Sequence, residues 1–202
     1  MANPATGQTS GQFISVQKFH AAKLIDDNAT ATTYDAPLDF GKILRQVQIA
    51  PTNNSVDAYA DGQSIDTAVN TAKFELTIET AALPLEYVAF LLGHKYENGT
   101  MITSKDDQAP YFAIMYQSDK RNGNARYHKF YKVQFQEPET TNKTKEENIE
   151  FAYPSIKATA IYRLSDGRAY AYGDDEDENF DASTWYTAVD PTTPEPDPEP
   201  EP

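Results

Sequence analysis

The chain has 202 residues and no cysteine. Disulfides and thiolate metal sites are therefore excluded, and nothing in the sequence speaks for an oxidising compartment. Bases are also scarce. Seventeen Lys and Arg face thirty-one Asp and Glu, giving a net charge of −14. No basic stripe of the kind that grips phosphates is present, which argues against tight nucleic-acid binding. No apolar run approaches the roughly 18 residues that span a bilayer. The opening MANPATGQTSGQ lacks a basic region followed by an apolar one, so no signal peptide is expected. A soluble product made in the cytoplasm is the expectation.

Catalytic signatures are missing as well. There is no Gly-x-Ser-x-Gly and no glycine loop that would cradle a phosphate, so neither a nucleophile elbow nor a nucleotide site is expected. The three histidines, His20, His94 and His128, fall on different predicted elements, and no His-x-x-x-His spacing joins them as a metal pair. His94 is placed where a helix C-terminus would favour its charge. Glu75 and Glu79 share one strand face, but residues four apart on a strand lie roughly 13 Å apart. That exceeds the about 5 to 9.5 Å of paired-carboxylate hydrolysis. The acidic run Asp174–Glu178 lacks the glycine and terminal glutamate of a calcium loop, with Asn179 and Trp185 in those places, and reads as solvated charge. No catalytic residue, metal or cofactor is expected.

What is present points to sheet. Aromatics make up 12 % of the chain, led by thirteen tyrosines, and Val, Ile and Thr recur in short runs. Residues 1–12 read as a flexible arm, and Phe13–Leu24 as a first strand. In Lys42–Ile49, Ile43, Val47 and Ile49 alternate with Gln46 and Gln48, the period of a half-buried strand. Phe74, Leu76 and Ile78 alternate with Lys73, Glu75, Thr77 and Glu79. LPLEYVAFLLGH predicts one helix, with Pro84 in its first turn, Leu85, Val88, Ala89 and Leu92 on its apolar side, and Gly93 as C-terminal cap. YFAIMY (111–116) predicts a strand covered on both faces. SDKRNGNAR then predicts a hairpin turn into the return strand Tyr127–Phe135, whose apolar positions are Tyr127, Tyr131, Val133 and Phe135. From Ile149 to Leu164 the apolar phase flips at Pro154, predicting a bulge or bend there.

Two polar connections stand out. TNNSVDAYADGQSIDTAVNTAK (52–73) joins two strands that a short turn could join. Its small apolar positions Val56, Ala58, Ala60, Ile65 and Ala68 flank an Asp-Gly turn signal, the pattern of a hairpin arm too poor in apolar surface to be stable alone. EPETTNKTKEEN (137–148) is the second. At the C-terminus eleven of the thirty-one carboxylates fall within 174–202. That leaves twenty acids against seventeen bases before residue 174, a net of −3. The final PTTPEPDPEPEP has six prolines in twelve residues. Three regions are expected: the arm 1–12, a β domain over 13–173, and a disordered acidic, proline-rich extension over 174–202.

Taken together, several stretches resemble one family. DAYADGQSIDTA is followed by KFELTIET, ALPLEYVAFLLGH and an Asn-Gly turn, then by DDQAPYFAIMYQSDKRNGNARYHKFYKVQFQEPETTNKTKEENIEFAYPSIKATA. In order and spacing, over Lys42 to Arg163, they resemble the major tail proteins of long-tailed phages infecting Gram-positive bacteria, of the phi13 type. The resemblance implies a mainly β protein, an antiparallel β-sandwich or barrel-like tail-tube fold with one flanking α-helix. It implies hexameric rings stacking into a hollow tube through which DNA is ejected. Other tail proteins, such as tape-measure, distal tail and terminator proteins, are the implied partners. The implied location is the virion tail, after assembly in the host cytoplasm. Some relatives carry a C-terminal immunoglobulin-like domain, and PTTPEPDPEPEP looks like a linker to one. On this reading Asn53, Asn54, Val56, Tyr59, Asp61, Gly62, Ile65 and Asp66 belong to an inter-subunit hairpin loop, while Lys73, Glu75, Thr77 and Glu79 are the candidates for facing the lumen. DNA passes without tight binding. The interleaved tyrosines leave an alternative of another class, a carbohydrate-binding or adhesive β-sandwich.

Overall fold

The computed structural model describes residues 11–60, 63–139 and 153–190, with the side chains of 54–60 and 63–70 left out of the description. Eleven strands, one α-helix and a short 3-10 turn (Ala182–Thr184) are found among them: β1 (Phe13–Asp27), β2 (Thr32–Tyr34), β3 (Leu38–Asp39), β4 (Leu44–Ala60), β5 (Gln63–Thr80), α1 (Leu85–Leu92), β6 (Lys95–Glu97), β7 (Thr100–Ile102), β8 (Tyr111–Lys120), β9 (Ala125–Phe135), β10 (Ser155–Ala160) and β11 (Tyr170–Asp174). Every recorded strand pairing is antiparallel. The main sheet runs β2-β1-β8-β9-β10-β5-β4, with β3 added to β1 and β11 to β9. Its last strand, β4, comes back into contact with β1, so the sheet curls round its own core as a β-sandwich.

That core follows from the alternation. Leu76 and Ile78 of β5, Ile156, Ala158 and Ala160 of β10, and Phe112, Ile114 and Tyr116 of β8 point inward with Phe19, Ala21 and Phe40. Helix α1 closes it with Val88, Leu91 and Leu92. Fully burying each large apolar side chain contributes about 1.5–3 kcal/mol. Pro84 is the N-cap residue immediately before the helix, and Gly93 at φ 75° ends it in the left-handed conformation. A Cβ on Gly93 would stand 2.5 Å from the Gln108 carbonyl oxygen. Leu85, expected on the buried stripe, is instead 51 % exposed, and Leu91 takes its place.

Two irregularities set the phase of the central strands. Phe112 pairs with Val133 but Ile114 with Phe130, so Tyr131 and Lys132 together oppose Ala113. This bulge sends Tyr131 to the far side of the sheet while Phe130, Val133 and Phe135 all reach the main core, and it corrects the uniform alternation expected for Tyr127–Phe135. The same point divides the strand. Arg126–Phe130 pair with β11 and Val133–Phe135 with β10 along one edge. Lys18, at φ 57°, marks a second bulge, between Gln17 and His20 of β1. Pro154 directly precedes β10 and its carbonyl accepts from the Thr80 N–H at 2.9 Å. The expected phase flip there depends on Ile149 and Phe151, which lie outside the described residues. The expected run to Leu164 ends earlier, at Ala160, where the chain turns away and leaves Leu164 66 % exposed.

The extension expected to start at Asp174 needs correction over its first part. Residues 174–190 lie on the sheet: Val189 is 3 % exposed and packs with Ala22, Ala113, Met115 and Tyr131, while Trp185 and Tyr186 pack on the same cluster. This strap is the second cover of β8, whose residues Phe112–Met115 are all fully buried. The continuous apolar run in β8 predicted two covered faces without indicating what supplies the second. Residues 1–10 and 191–202 lie outside the described residues.

Candidate functional surfaces

The outward face of β4, β5 and β10 is a polar surface set by register. Gln46, Glu79 and Ser155 align across the three strands, as do Gln48, Thr77 and Lys157, and Ala50, Glu75 and Thr159, while Thr52 pairs with Lys73. The structure therefore gathers all four lumen candidates, Lys73, Glu75, Thr77 and Glu79, on one face. It adds a β10 row that sequence reasoning missed, because β10 joins β5 from the far side of the helix and the central hairpin. Gln46, Gln48, Thr77, Glu79, Tyr153 and Ser155 line a shallow depression in it.

The cations on this face are internally paired. Arg45 Nη1 lies 2.5 Å from Glu79 Oε1, Lys73 Nζ 2.9 Å from Glu75 Oε1, and Lys157 Nζ 3.1 Å from Glu139 Oε1. Arg45 also stacks its guanidinium 3.6 Å above the Tyr153 ring. Exposed pairs of this kind add little stability, but each carboxylate cancels a charge that would otherwise attract a polyanion.

The long connection is a hairpin. Backbone pairing of β4 with β5 runs from Leu44–Thr80 to Ala60–Gln63, with register shifts after Leu44, Thr52 and Ala58. Pairing of β5 with β10 ends at Phe74. Beyond it, Asn53–Ala60 and Gln63–Thr71 form a two-stranded ribbon with no third strand among the described residues, roughly 25 Å long at about 3.3 Å per residue. At its root the Thr71 hydroxyl donates to Asn53 Oδ1 at 2.8 Å, and the Tyr162 hydroxyl donates to the Thr71 carbonyl at 2.9 Å. The arm candidates Asn53, Asn54, Val56 and Tyr59 lie on β4 and Ile65 and Asp66 on β5. Asp61 and Gly62 lie outside the described residues.

The acidic run read as solvated charge is instead the near anchor of the strap. Lys120, with a side chain 0 % exposed, is paired with Asp174 and, at 2.8 Å, with Glu176. Arg126 forks onto both Asp174 oxygens, and the Ala125 N–H donates to Asp175 Oδ1. At the far anchor Arg163 donates to Asp166 and Asp190, each at 2.5 Å, and lies over the Tyr131 ring. The Arg163 hydrogen bonds hold the Asp166 carboxyl down at about 2. Between the anchors Lys129 donates to the Val189 carbonyl at 2.7 Å and lies over Trp185. Burial pushes its ammonium down to about 8.

The three histidines stay apart. His20 packs against Tyr186 with the rings tilted by 31°. His128 is stacked against Tyr116, with Nδ1 2.5 Å from the Tyr170 hydroxyl, and burial, helped by Arg126, brings its pKa down to about 4. It is neutral at neutral pH. His94 sits directly after the Gly93 cap, between Asp107 and Glu137. Among the described residues no group of three His, Cys, Asp or Glu could hold a metal ion, and no helix is long and apolar enough to cross a membrane.

A curled antiparallel sandwich, a charge-paired polar face and a ribbon outrunning its own sheet describe a mainly β protein with extended polar surfaces. Its residues 44–196 match the family model for phage tail tube protein, and the chain belongs to that family. It is a major tail protein, a structural component of the virion tail that assembles with copies of itself and works alongside other tail proteins. No curated protein matches the chain.

Proposed function

We propose that this protein, of the phi13 type, forms hexameric rings that stack into the tail tube, and that the tube is the conduit for DNA ejection. The polar face of β4, β5 and β10, with Lys73, Glu75, Thr77 and Glu79, lines the lumen. The observation that carries this is the pairing of Arg45, Lys73 and Lys157 with carboxylates of the same subunit. Each free base on such a wall would add affinity for phosphates and slow transit, whereas a hydrogen-bonding, self-neutralised wall lets DNA pass.

Two features support the contacts. Strand β4 ends the sheet order with one hydrogen-bonded neighbour among the described residues, and an open edge is a template for another strand. The ribbon Asn53–Thr71 has too few partners of its own to be stable alone, so it orders across an adjacent subunit, and the 137–148 connection makes a second contact. Both contacts are between unlike surfaces and propagate without closing, as stacked rings require. Assembly takes place in the host cytoplasm with tape-measure, distal tail and terminator proteins.

Deleting residues 54–69 and imaging the product by negative-stain electron microscopy tests the arm. The expected outcome is a folded subunit that makes no tubes; tubes of normal length from the deletion protein would sink the reading.

A further inference from the structure

We propose that His94 is a proton-operated clamp that joins the end of α1 to the exit of β9. Its imidazole is 5 % exposed. Nδ1 lies 2.8 Å from Asp107 Oδ2 and Nε2 2.5 Å from Glu137 Oε1. Carboxylates only accept hydrogen bonds, and neutral imidazole has one N–H and one lone pair. Both contacts are therefore satisfied only by the imidazolium, with two N–H donors. Loss of the proton turns a lone pair onto one of the two carboxylates and opens that side of the clamp.

Three segments meet at this ring. The Gly93 and His94 N–H groups both donate to the Ala89 carbonyl, fixing the ring at the electronegative end of α1, which itself favours a cation. Asp107 comes from the loop before β8 and is held by the Ser104 N–H at 2.8 Å. Glu137 stands two residues after Phe135, where the chain leaves β9. The charged groups bonded to the ring are Asp107 and Glu137; Lys105 and Asp106 of the same loop are exposed, and Lys95 pairs with Glu97. Burial opposes the charge, but the hydrogen bonds to Asp107 and Glu137 outweigh it and hold the pKa above the ordinary histidine value. Because the folded pKa is raised, the clamp is complete below about 6.5 and is lost as pH rises through the folded value. The clamp stands on the fold alone. Its bearing on assembly, as the device that aims the 137–148 connection, rests on the tube reading.

The test is an NMR titration of the three histidines in the full chain, with hydrogen exchange of the Ser104 amide followed over the same range. The expected results are a His94 midpoint above about 6.5 and its fall by about one pH unit in Glu137→Gln. Ser104 protection is expected to drop across the midpoint by more than base catalysis alone gives, and His94→Gln should remove that step. A His94 midpoint at or below the free value, or a protection step that persists in His94→Gln, overturns the proposal. Both readouts are taken on the unassembled protein, so failure to form tubes leaves them intact and speaks only against the tube.

Discussion

At the scale of single residues, the two buried histidines are wired with opposite signs. His128 is held neutral, its pKa depressed to about 4 against about 6.5 unfolded. Between those values the unfolded chain binds the proton and the native one does not, so stability is full above about 6.5 and falls as pH drops toward 4. With its partial exposure taken into account, the loss is on the order of 2 kcal/mol. Urea denaturation from pH 4 to 7 is expected to show this slope, and His128→Gln to flatten it. Glycine supplies a second contrast. Gly93 and Gly41 both have φ near +70°, but a Cβ on Gly41 meets nothing within 4 Å, while one on Gly93 meets the Gln108 carbonyl. Gly41→Ala should cost about 1 kcal/mol, the left-handed penalty alone, and Gly93→Ala at least about 2 kcal/mol, since backbone must also shift. Equal costs in a denaturation series would refute the steric account.

At the scale of elements, the strap 174–190 is the least expected part of the fold. Strands with clean alternation were legible: Phe74, Leu76 and Ile78 turn inward and Lys73, Glu75, Thr77 and Glu79 outward as their period required. The helix and its glycine cap were legible for the same local reason. The strap was not, because its acids look solvated until Lys120 of β8, Arg126 of β9 and Arg163 of the loop after β10 are brought to them. Nor was the bulge at Tyr131–Lys132, since one extra residue in a run already dense in apolar side chains leaves no signal in the period. Truncation separates the two parts of the C-terminus. Ending the chain at Gly173 strips Trp185, Tyr186 and Val189 from the sheet, at about 1.5–3 kcal/mol each, and should leave a protein that binds a hydrophobic dye and melts far lower. Ending it at Asp190 should move the melting temperature little, because the segment removed is polar and proline-rich. An unchanged melting temperature in the shorter protein would show that the strap contributes nothing.

At the scale of the whole molecule, charge is sorted by surface. The chain carries −14 in all, yet its bases are not left free on the polar face. Replacing Glu75, Glu79 and Glu139 together by Gln releases Arg45, Lys73 and Lys157 without touching the core. The expected result is tubes that still form but retain DNA at low salt, with retention falling steeply as salt rises. Retention equal to that of the parent protein would place this face away from DNA.

The strap has a temporal consequence. Strand order pairs β1 with β8, so much of the sheet must be held open until the middle of the chain is available, a topology that folds slowly. The far side of β8 is then closed by Trp185, Tyr186 and Val189, which are synthesised after every strand of the sheet. A chain that has not yet reached Trp185 has its inner core and an uncovered back. A chain translated through Asp190 therefore has both faces of β8 covered, whereas one stopped before Trp185 leaves the apolar back of the sheet in water.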